Sequence, residues 1–508
     1  MQWLNRIVDE IISRQPDGEI LIESGHSPSG AYHLGHLREV VTCDAILLEL
    51  KKRGRIAKHI SFVDDLDALR KIPVNIPSEY EKYLGKSLCD IPAPKGSGSY
   101  GDYFLAGLKN ACEVLGLELE FVYSHDKYRS GFFIEAIEKV LNNIPDVRQS
   151  LEKFGRQLDE QWSPIQVNED GYLKKRPFVS IDTNAKTIVY IDKDGQEQTT
   201  PYAAGEVKLD WRLDWPARWW LLNVGIEPFG RDHASSGSSY ETGQELMQKV
   251  FSAQAPLPVP YDFINLAGDT KKMSASKGTG LNAEEAVKVM PPEVWRYFIL
   301  SPSPSKRLYF DPVNGVVQLM DEFAALLSKE NKTEADQQLI YICTRGLQDR
   351  TVSDVPFSHL VASYQAALKD PGKTIDFIAR TEHAKAAQTQ KEIIKKELSF
   401  IDQWLDKWAP DDLKFELAQS VDASQLSEQE KEFLNSLADK VSAAPADADG
   451  EWFHKAIYEF KESHNLEPKQ LFTTLYKVLI GKSSGPRAGW FLSILPRDWL
   501  IKRLKLEV

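Results

Sequence analysis

The chain has 508 residues, 42% of them hydrophobic and 27% charged, which is the composition of a globular protein with two or three domains. No run approaches the ~20 uninterrupted apolar residues of a membrane span, and the N-terminus lacks the basic-then-apolar pattern of a secretory signal. The net charge of -12 excludes a generic polyanion binder but not a local RNA-binding patch. Four cysteines without paired spacing argue against disulfides and against a structural zinc site, and the cytoplasm is the expected location.

The first predicted elements are a strand and a helix that flank two histidines. Residues 19–22 form a short apolar, β-branched run, which predicts a buried strand, and residues 37–52 carry apolar side chains at helical spacing. His33 and His36 stand between these segments, in the sequence SGHSPSGAYHLGH. Unpaired amides and the positive end of the helix dipole favour phosphate at such a junction. Three glycines allow a nucleotide to approach the backbone closely: Gly25, Gly30 and Gly35.

Four more strand-like runs follow along the chain, at residues 57–63, 119–123, 225–229 and 262–266. Helical patterns separate them, which implies a parallel, doubly wound sheet. Ligands bind beyond the carboxyl ends of such strands, at the topological switch point. A long excursion at residues 125–208 interrupts the alternation, with helical segments first and then a β-like patch at residues 187–191. The sequence therefore predicts an α/β domain that carries an insertion.

Two later segments carry polar residues directly after predicted strands. The sequence PFGRDHASSG supplies Asp232, a candidate acceptor for a ribose hydroxyl, and His233, a candidate substrate contact. The sequence KMSASKG supplies Lys272 and Lys277, mobile ammonium groups that can reach a pyrophosphate as charge builds on it. The serines between these lysines can donate to phosphate oxygens. Because strand ends meet at one edge of a parallel sheet, both segments and the histidine turn can close around one nucleotide.

From residue 291 onward the pattern turns helical and stays so, apart from loops near residues 301–304. The last segment is locally basic and contains three aromatic side chains, Trp490, Phe491 and Trp499. Aromatic rings in a basic setting can stack on unpaired bases of RNA. The alternative is that these rings belong to the core of the last helices. The sequence predicts an all-α C-terminal region.

Several segments resemble a known family. The sequence HLGH at residues 33–36 and the sequence KMSASKG at residues 272–278 resemble the HIGH and KMSKS signatures of class I aminoacyl-tRNA synthetases. Longer segments resemble the class I lysyl-tRNA synthetases in particular, at residues 83–92, 209–219, 228–237, 292–298 and 485–487. The chain departs from the signature at Ala275, where the family has lysine, and Lys277 can substitute from two residues further on.

The resemblance implies a ligase that activates L-lysine with ATP to lysyl-adenylate and transfers the lysyl group to the 3′ end of tRNA-Lys. Mg²⁺ is expected on the ATP phosphates, and zinc is not expected, because the insertion lacks the cysteine knuckles that some relatives carry. The implied domains are a Rossmann-like catalytic domain at residues 1–290 with its connective insertion at 125–208, stem-contact helices at 291–345, and an α-helical anticodon-binding cage at 346–508. A monomer without membrane association is expected.

The resemblance also implies roles for single residues. The predicted catalytic residues are His33, His36, Lys272 and Lys277. The predicted ATP contacts are Gly30, His33, Gly35, His36, Asp232, Lys272, Met273, Ser274 and Ser276. The predicted lysine contacts are Gly25, Ser27, Trp211, His233, Tyr261 and Asp64. A lysine pocket needs a carboxylate for the ammonium and aromatic walls for the methylene stem, and the candidate carboxylates are Glu23, Asp64 and Asp65. No metal ligands are predicted.

Two other functions stay open at this stage. A class I ligase of the glutamyl or glutaminyl type shares the sheet and the helical cage, but its pocket would need an arginine rather than carboxylates. A non-catalytic tRNA-binding paralogue is the other alternative, and the intact histidine and lysine motifs argue against it. The sequence does not fix the oligomeric state, the carboxylate that holds the lysine ammonium, the anticodon preference or the effect of Ala275.

Overall fold

The computed structural model describes residues 1–159, 162–268, 281–346, 350–411, 413–445, 448–463, 467–485 and 487–508. The chain forms two compact units. The first unit consists of Met1–Val287, Trp295–Phe310 and Glu334–Arg345, and the second of Lys288–Val294, Asp311–Thr333 and Gly346–Val508. Among the described residues, no helix is both long enough and apolar enough to cross a membrane.

The strands of the described residues all lie in the first unit. They are β1 (Ile20–His26), β2 (Ala57–Val63), β3 (Glu120–Tyr123), β4 (Ile165–Glu169), β5 (Tyr172–Lys175), β6 (Phe178–Asp182), β7 (Thr187–Ile191), β8 (Glu197–Pro201), β9 (Val207–Leu209), β10 (Val224–Gly230), β11 (Leu257–Tyr261), β12 (Ile264–Leu266) and β13 (Leu308–Phe310).

Helices occur in both units. The first twelve are α1 (Gln2–Arg14), α2 (Leu34–Lys52), α3 (Tyr100–Val114), α4 (Ser124–Arg129), α5 (Ile134–Asn142), α6 (Ile144–Lys153), α7 (Trp211–Leu222), α8 (Ser239–Lys249), α9 (Ala283–Ala286), α10 (Pro292–Leu300), α11 (Gly315–Ser328) and α12 (Glu334–Thr344). The others are α13 (Phe357–Ala366), α14 (Pro371–Ile378), α15 (Ala384–Thr389), α16 (Lys391–Lys407), α17 (Glu428–Ser442), α18 (Gly450–Ser463), α19 (Pro468–Ile480), α20 (Ala488–Ile494) and α21 (Arg497–Leu504). Short 3₁₀ turns lie at Ser78–Tyr83, Leu88–Asp90, Arg231–His233 and Ala423–Gln425.

A five-stranded parallel sheet is the centre of the first unit, in the spatial order β11-β10-β1-β2-β3. If these five strands are counted 1 to 5 in chain order (β1, β2, β3, β10, β11), their spatial order is 3-2-1-4-5, the order of a Rossmann half. The strand order reverses between β1 and β10. The strands β1 and β2 pair in register from Ile20 with Ala57 to His26 with Val63. The carboxyl ends of β1 and β10 therefore form the switch point at which a ligand is expected. The predicted fold class is confirmed.

The excursion after β3 contains helices and two antiparallel sheets. The helices α4, α5 and α6 come first, and the strands then form the sheets β5-β4-β9 and β6-β7-β8. The predicted β-like patch at residues 187–191 is β7, and Gly195 takes a positive φ of 77° in the turn that leads to β8. The packing of this insertion against the main sheet buries Tyr128 and Trp219 in one continuous hydrophobic core.

Two predictions about the elements are wrong. Residues 262–266 do not supply the fifth strand of the main sheet, because β12 pairs with β13 in a separate two-stranded sheet. The fifth strand is β11, whose sequence LPVPY contains two prolines. The segment from residue 291 onward is also not helical throughout, because it contains β13. Helix α1 was not predicted; it buries Leu4, Ile7, Val8 and Ile11 along one face.

The described part of the second unit contains helices and no strand. Its core is built from α17, α19 and α20, with buried side chains such as Phe433, Leu437, Leu475 and Phe491. Helix α17 begins with a capping box in which the Ser427 side chain accepts from the Glu430 N–H, and the Glu430 side chain accepts from the Ser427 N–H. These helices need no strand because each buries an apolar stripe against its neighbours.

A buried acid holds the C-terminal part of the first unit on α2. Asp44 has no exposed surface, and it forms ion pairs with Arg296 and Arg345. Burial raises the pKa of Asp44, but the two guanidinium groups outweigh burial, so the pKa lies below its usual value. Asp44 is therefore charged at neutral pH and balances two arginines from a distant part of the sequence.

We predict that Asp44→Asn destabilises the fold by about 3–5 kcal/mol, because the isosteric amide leaves the buried Arg296 without a counter-charge and leaves the partly buried Arg345 with only the more distant Glu118. The matched control is Asp9→Asn, which breaks an exposed pair with Arg53 and should cost less than about 1 kcal/mol. The measurement is the urea midpoint of the circular dichroism transition for both variants. Equal shifts of the two midpoints would contradict the structural role given to Asp44.

Candidate active site

The histidine turn joins β1 to α2 and is ordered by its own side chains. The Gly35 N–H donates to Nδ1 of His33 at 3.1 Å, and the His33 N–H donates to Nδ1 of His36 at 3.1 Å. This is a capping box in which two histidines replace the usual hydroxyl and carboxylate. The Tyr32 ring contacts the His36 ring at 4.9 Å between centroids. The first turn of α2 and both imidazoles are thus held at the carboxyl end of β1.

The segments on either side of the KMSASKG sequence are hydrogen-bonded to this turn or to the helix behind it. The Leu34 N–H donates to the Leu281 carbonyl at 3.0 Å, and the Ala283 N–H donates to the Tyr32 carbonyl at 3.0 Å. Arg38 of α2 donates to the Phe263 carbonyl at 3.4 Å. The predicted residues of the loop itself lie outside the described residues, and they are Lys272, Met273, Ser274, Ala275, Ser276 and Lys277.

A cavity of about 410 Å³ opens at the carboxyl ends of β1 and β10. Ten of the predicted site residues line it: Gly25, Ser27, His33, Gly35, His36, Asp64, Trp211, Asp232, His233 and Tyr261. Gly30, a predicted ATP contact, is buried in the turn and does not line the cavity. The structure thus brings together residues that are more than two hundred positions apart, because the parallel sheet aligns the ends of its strands.

Aromatic rings form one wall of the cavity. Trp211 and Trp215 lie one turn apart on α7, with 6.3 Å between their ring centroids. The His233 ring meets both of them edge-on, at 6.0 Å from Trp211 and 5.5 Å from Trp215. Asp210 caps α7 by accepting from the Arg212 N–H. This wall is apolar and rigid, which suits a methylene chain.

A single buried guanidinium forms the floor. Arg218 of α7 donates to the two oxygens of Asp64 at 2.9 and 3.1 Å, and it lies 3.1 Å from Asp214 and 3.6 Å from Glu23. Lys208 of the insertion binds the far side of Asp214 at 2.9 Å. Asp64, one of the three candidate partners of the lysine ammonium, is therefore already paired with Arg218.

Two further carboxylates at the cavity are held by neutral donors. The Trp215 Nε1–H donates to Oε1 of Glu227 at 2.9 Å, and the Trp219 Nε1–H donates to Oε2. Glu39 accepts from the Gly25 N–H at 2.8 Å and from the Tyr261 hydroxyl. Burial raises the pKa of Glu227 to about 7 and that of Glu39 to about 8, against the smaller opposing effect of these hydrogen bonds.

The cavity and its floor therefore contain more carboxylate groups than cationic groups. Six acids surround the cavity or its floor: Glu23, Glu39, Asp64, Asp214, Glu227 and Asp232. Against them stand Arg218 and Lys208. Glu23 is fully buried, and neither of its carboxylate oxygens has a hydrogen-bond partner among the described residues. Burial first, and then the charge of Glu227, raise the pKa of Glu23 well above its usual value. Such a site favours a cationic ligand, because a positive charge would relieve the repulsion between these groups.

Sequence reasoning missed four residues of this site: Glu39, Trp215, Arg218 and Glu227. A signal was present for three of them. Trp215 and Arg218 follow Trp211 at helical spacing and so lie on the same face of α7. Glu227 is a charged residue within an otherwise apolar strand, which is unusual unless the charge has a partner or a function. Glu39 carries no such local signal, because its partners come from β1 and β11.

A second group of polar side chains has the spacing of a metal site. Ligand atoms of Asp65, Cys89 and His125 lie within 4.8 Å of one another. Hydrogen bonds account for this close spacing, because Asp65 accepts from the Ser124 hydroxyl at 3.1 Å and from the His125 ring. The guanidinium of Arg129 lies 3.8 Å from the Cys89 sulfur and would repel a cation. The geometry therefore fits a capped start of α4 better than a metal centre.

The chain is similar to known proteins over its full length. Residues 1–344 match the family described as tRNA synthetases class I (K), and residues 372–507 match the family described as Anticodon binding domain. The Lysine–tRNA ligase of Archaeoglobus fulgidus is 34% identical over 510 residues, which cover 99% of both chains. Lysine–tRNA ligase 1 of Methanosarcina acetivorans is 33% identical over 99% of this chain and 98% of that one. The Lysine–tRNA ligase of Thermococcus kodakarensis is 31% identical over all of both chains.

The capping role of His33 can be separated from any chemical role. We predict that His33→Ala speeds hydrogen exchange of the amides of residues 34–37 by about fivefold, since loss of a cap costs ~1 kcal/mol. His33→Asn restores a side-chain acceptor at the N-cap and should leave exchange close to that of the unchanged chain. Hydrogen exchange read out by mass spectrometry measures both variants. Equal acceleration in the two variants would show that His33 does not cap α2.

Proposed function

The chain belongs to the class I tRNA synthetases, and from this premise we propose that its cavity activates L-lysine with ATP before the lysyl group passes to tRNA-Lys. The observation that carries the proposal is the surplus of buried carboxylate beside the histidine turn, at the switch point of the sheet. A lysine–tRNA ligase needs a cation pocket and a phosphate site in contact with each other. We assign both the cation pocket and the phosphate site to this one cavity.

The lysine side chain fits between the aromatic wall and Glu227. A Cβ on Gly25 would lie 3.9 Å from Oε1 of Glu227 and 3.8 Å from Nη1 of Arg218, so the bare glycine leaves space directly in front of these groups. We place the ε-ammonium there, facing Glu227, with the methylene stem along Trp211 and His233. Asp64 forms an ion pair with Arg218, so we do not expect it to bind the ammonium by itself.

The ATP side of the cavity is the start of α2. The positive end of the α2 dipole attracts phosphate, and His33 and His36 add ring N–H donors, whereas the Leu34 and Gly35 amides already donate to the Leu281 carbonyl and the His33 ring. Asp232 lies across the cavity at the end of β10, where it suits a ribose hydroxyl. A Cβ on Gly230 would come within 2.6 Å of the Asp232 carboxylate, so a larger residue there would displace the Asp232 side chain. Mg²⁺, which is held by ATP phosphates more than by protein cages, would neutralise charge on the phosphates.

Lys272 and Lys277 complete the phosphate site in this proposal. Their loop begins after β12 and ends at Leu281, whose carbonyl accepts from the Leu34 N–H of the histidine turn. An ammonium group on a chain anchored there can reach the phosphates bound at α2. Ser274 and Ser276 are hydroxyl donors on the same loop, and Met273 lies between them and Lys272. Ala275 does not remove either ammonium group, so the loop keeps two cations.

The chemistry needs positioning and charge stabilisation rather than a protein nucleophile. An oxygen of the lysine carboxylate attacks the α-phosphorus of ATP, and the bond to the β-phosphate oxygen breaks. Lysyl-adenylate and pyrophosphate result. A hydroxyl of the terminal ribose of tRNA then attacks the lysyl carbonyl and releases AMP. The histidines and lysines stabilise the charge that develops on the phosphates.

The site disfavours both alternative functions. A glutamate or glutamine substrate would place an acceptor oxygen among six carboxylates, and Arg218 is already neutralised by Asp64 and Asp214. A non-catalytic paralogue would have no need for histidines that line one cavity together with Asp232. A monomer, a cytoplasmic location and the absence of zinc remain our predictions for this ligase.

We predict that lysine, and not glutamate, supports ATP–pyrophosphate exchange in the presence of tRNA. Lys272→Ala should lower the exchange rate about 100- to 1,000-fold, the loss typical of removing one group that stabilises transition-state charge. The matched control is Lys58→Ala, which removes an exposed ammonium at the amino end of β2 and should leave exchange unchanged. Exchange driven by glutamate, or no exchange from a folded chain, would refute the function.

We also predict a pH dependence of lysine binding. Because burial raises the pKa of Glu227 to about 7, this carboxyl is largely protonated at pH 6 and charged at pH 8. The ammonium of lysine stays charged throughout. The KM for lysine should therefore fall about tenfold from about pH 6 to about pH 8, measured at saturating ATP and tRNA.

The control for this pH dependence is Glu227→Gln. Its amide oxygen can still accept from Trp215 and Trp219, but it cannot become charged. The variant should have a raised KM for lysine at pH 8 and a much flatter profile, with kcat changed less than KM. An unaltered pH profile in Glu227→Gln would show that another group governs the titration.

A further inference from the structure

The turn that carries Asp232 is tied to a buried carboxylate of another segment. Arg231 begins this 3₁₀ turn, directly before Asp232 and His233, and its side chain is 58% exposed. Its guanidinium forms an ion pair with Asp262, at 2.5 Å between Nη1 and Oδ2. Asp262 lies in the short connection between β11 and β12 and is 4% exposed. Because the acid is buried, this charge-assisted hydrogen bond limits the positions that the turn can take.

Asp262 is itself held by several other hydrogen bonds. Its Oδ1 accepts from Nε and Nη2 of Arg307, at 3.1 and 3.0 Å, and from the Phe263 N–H at 2.8 Å. The Asp262 N–H donates to the Pro304 carbonyl at 2.9 Å. Burial raises the pKa of Asp262, but the Phe263 amide and the two guanidinium groups outweigh burial, so the pKa lies below its usual value. Asp262 is therefore charged at neutral pH and fixed to the loop before β13.

Helix α2 holds the same loop. Arg38 of α2 is fully buried, and its Nη2 donates to the carbonyls of Pro304 and Lys306 at 2.9 and 2.6 Å. Burial lowers the pKa of Arg38 to about 10, so its guanidinium remains charged at neutral pH. The loop before β13 is therefore fastened to α2, and through Asp262 it is fastened to the turn that carries Asp232.

Each partner of the Arg231–Asp262 ion pair is followed by a residue that lines the catalytic cavity. Asp232 follows Arg231, and Phe263 follows Asp262. Both lie close to Gly230, since a Cβ on that glycine would be 2.6 Å from Oδ1 of Asp232 and 3.5 Å from Cε1 of Phe263. The ion pair therefore sets the position of a carboxylate and of an aromatic ring on the same side of the cavity.

We propose that Arg231 and Asp262 are positioning residues for nucleotide recognition, which hold the Asp232 carboxylate where it accepts a ribose hydroxyl of ATP. The inference rests on the function proposed above, which places the ribose of ATP at Asp232. A carboxylate distinguishes ribose from deoxyribose only when its oxygen is held at about 2.6 Å from the hydroxyl oxygen. The connection from α2 through the loop before β13 to Asp262 and Arg231 aligns this carboxylate with the phosphate site at the start of α2.

The test compares ATP with 2′-deoxy-ATP and 3′-deoxy-ATP in lysine-dependent pyrophosphate exchange, with tRNA present. For the unchanged chain, at least one analogue should lower kcat/KM by about 10- to 100-fold, the usual loss when a hydrogen bond to a charged group is removed. Arg231→Met removes the exposed partner of the ion pair, so the fold should survive, and the loss with that analogue should shrink to less than about threefold. The KM for ATP should rise, whereas the KM for lysine should stay the same.

Three further variants complete the experiment. Arg231→Lys keeps a cation that can pair with Asp262, so it should retain most of the discrimination against the analogue. Asp262→Asn should act like Arg231→Met, and the double variant should lose no more discrimination than either single one. If Asp262→Asn does not fold, the comparison of Arg231→Met with Arg231→Lys decides. The matched control is Arg176→Met, which removes a guanidinium bound to Glu169 in the insertion, outside the catalytic cavity, and should discriminate as the unchanged chain does.

Undiminished discrimination in Arg231→Met would overturn this inference. It would do so even if the KM for ATP rises, because a guanidinium that binds only phosphate affects ATP and its deoxy analogues equally. Equal use of ATP and both analogues by the unchanged chain would also overturn it, since there would be no ribose contact to position. Both results leave lysine-dependent exchange intact, whereas a folded, unchanged chain without such exchange would refute the proposed function instead.

Discussion

The ion pairs of Arg218 hold the catalytic cavity together. This one guanidinium joins Glu23 of β1, Asp64 after β2 and Asp214 of α7, and the insertion reaches the same cluster through Lys208. Each of these carboxylates is buried or nearly so, and without the guanidinium they would repel one another in a medium of low dielectric. The sheet and the insertion can pack with so many acids between them because two cations, Arg218 and Lys208, lie where β1, the end of β2 and α7 meet.

The parallel order of the sheet then determines what can be near this cluster. The reversal of strand order between β1 and β10 opens a crevice at their carboxyl ends, and the histidine turn and the Asp232 turn follow these two strands. The hydrogen bonds between Leu34 and Leu281 and between Tyr32 and Ala283 connect the first turn of α2 to a segment about 250 residues later. The cation pocket and the phosphate site that we propose therefore share one cavity because of topology, not sequence proximity.

Much of this arrangement could be predicted from the sequence, and the failures have physical reasons. The strand at residues 57–63 was predicted with the bounds of β2, because its apolar run is bounded by polar residues. The fifth strand was misplaced because β11 contains Pro258 and Pro260, and proline argues against a central strand. The spatial order shows that β11 is an edge strand, where proline is tolerated. The pairing of Arg218 with Glu23 and Asp64, and of Glu227 with Trp215, depends on tertiary contacts that no local pattern encodes.

The raised pKa values of Glu23, Glu39 and Glu227 have a consequence for recognition. Without a cationic ligand, these buried carboxyls lower their mutual repulsion by holding protons. A lysine ammonium that enters the cavity takes over the role of those protons, so binding and proton release are coupled. A neutral side chain of the same length would fill the same volume but would leave the acids protonated, and it would gain only the contact with Trp211 and His233. Selectivity for lysine over neutral analogues therefore follows from the deficit of positive charge, while the aromatic wall sets the length and shape of the side chain that can use it.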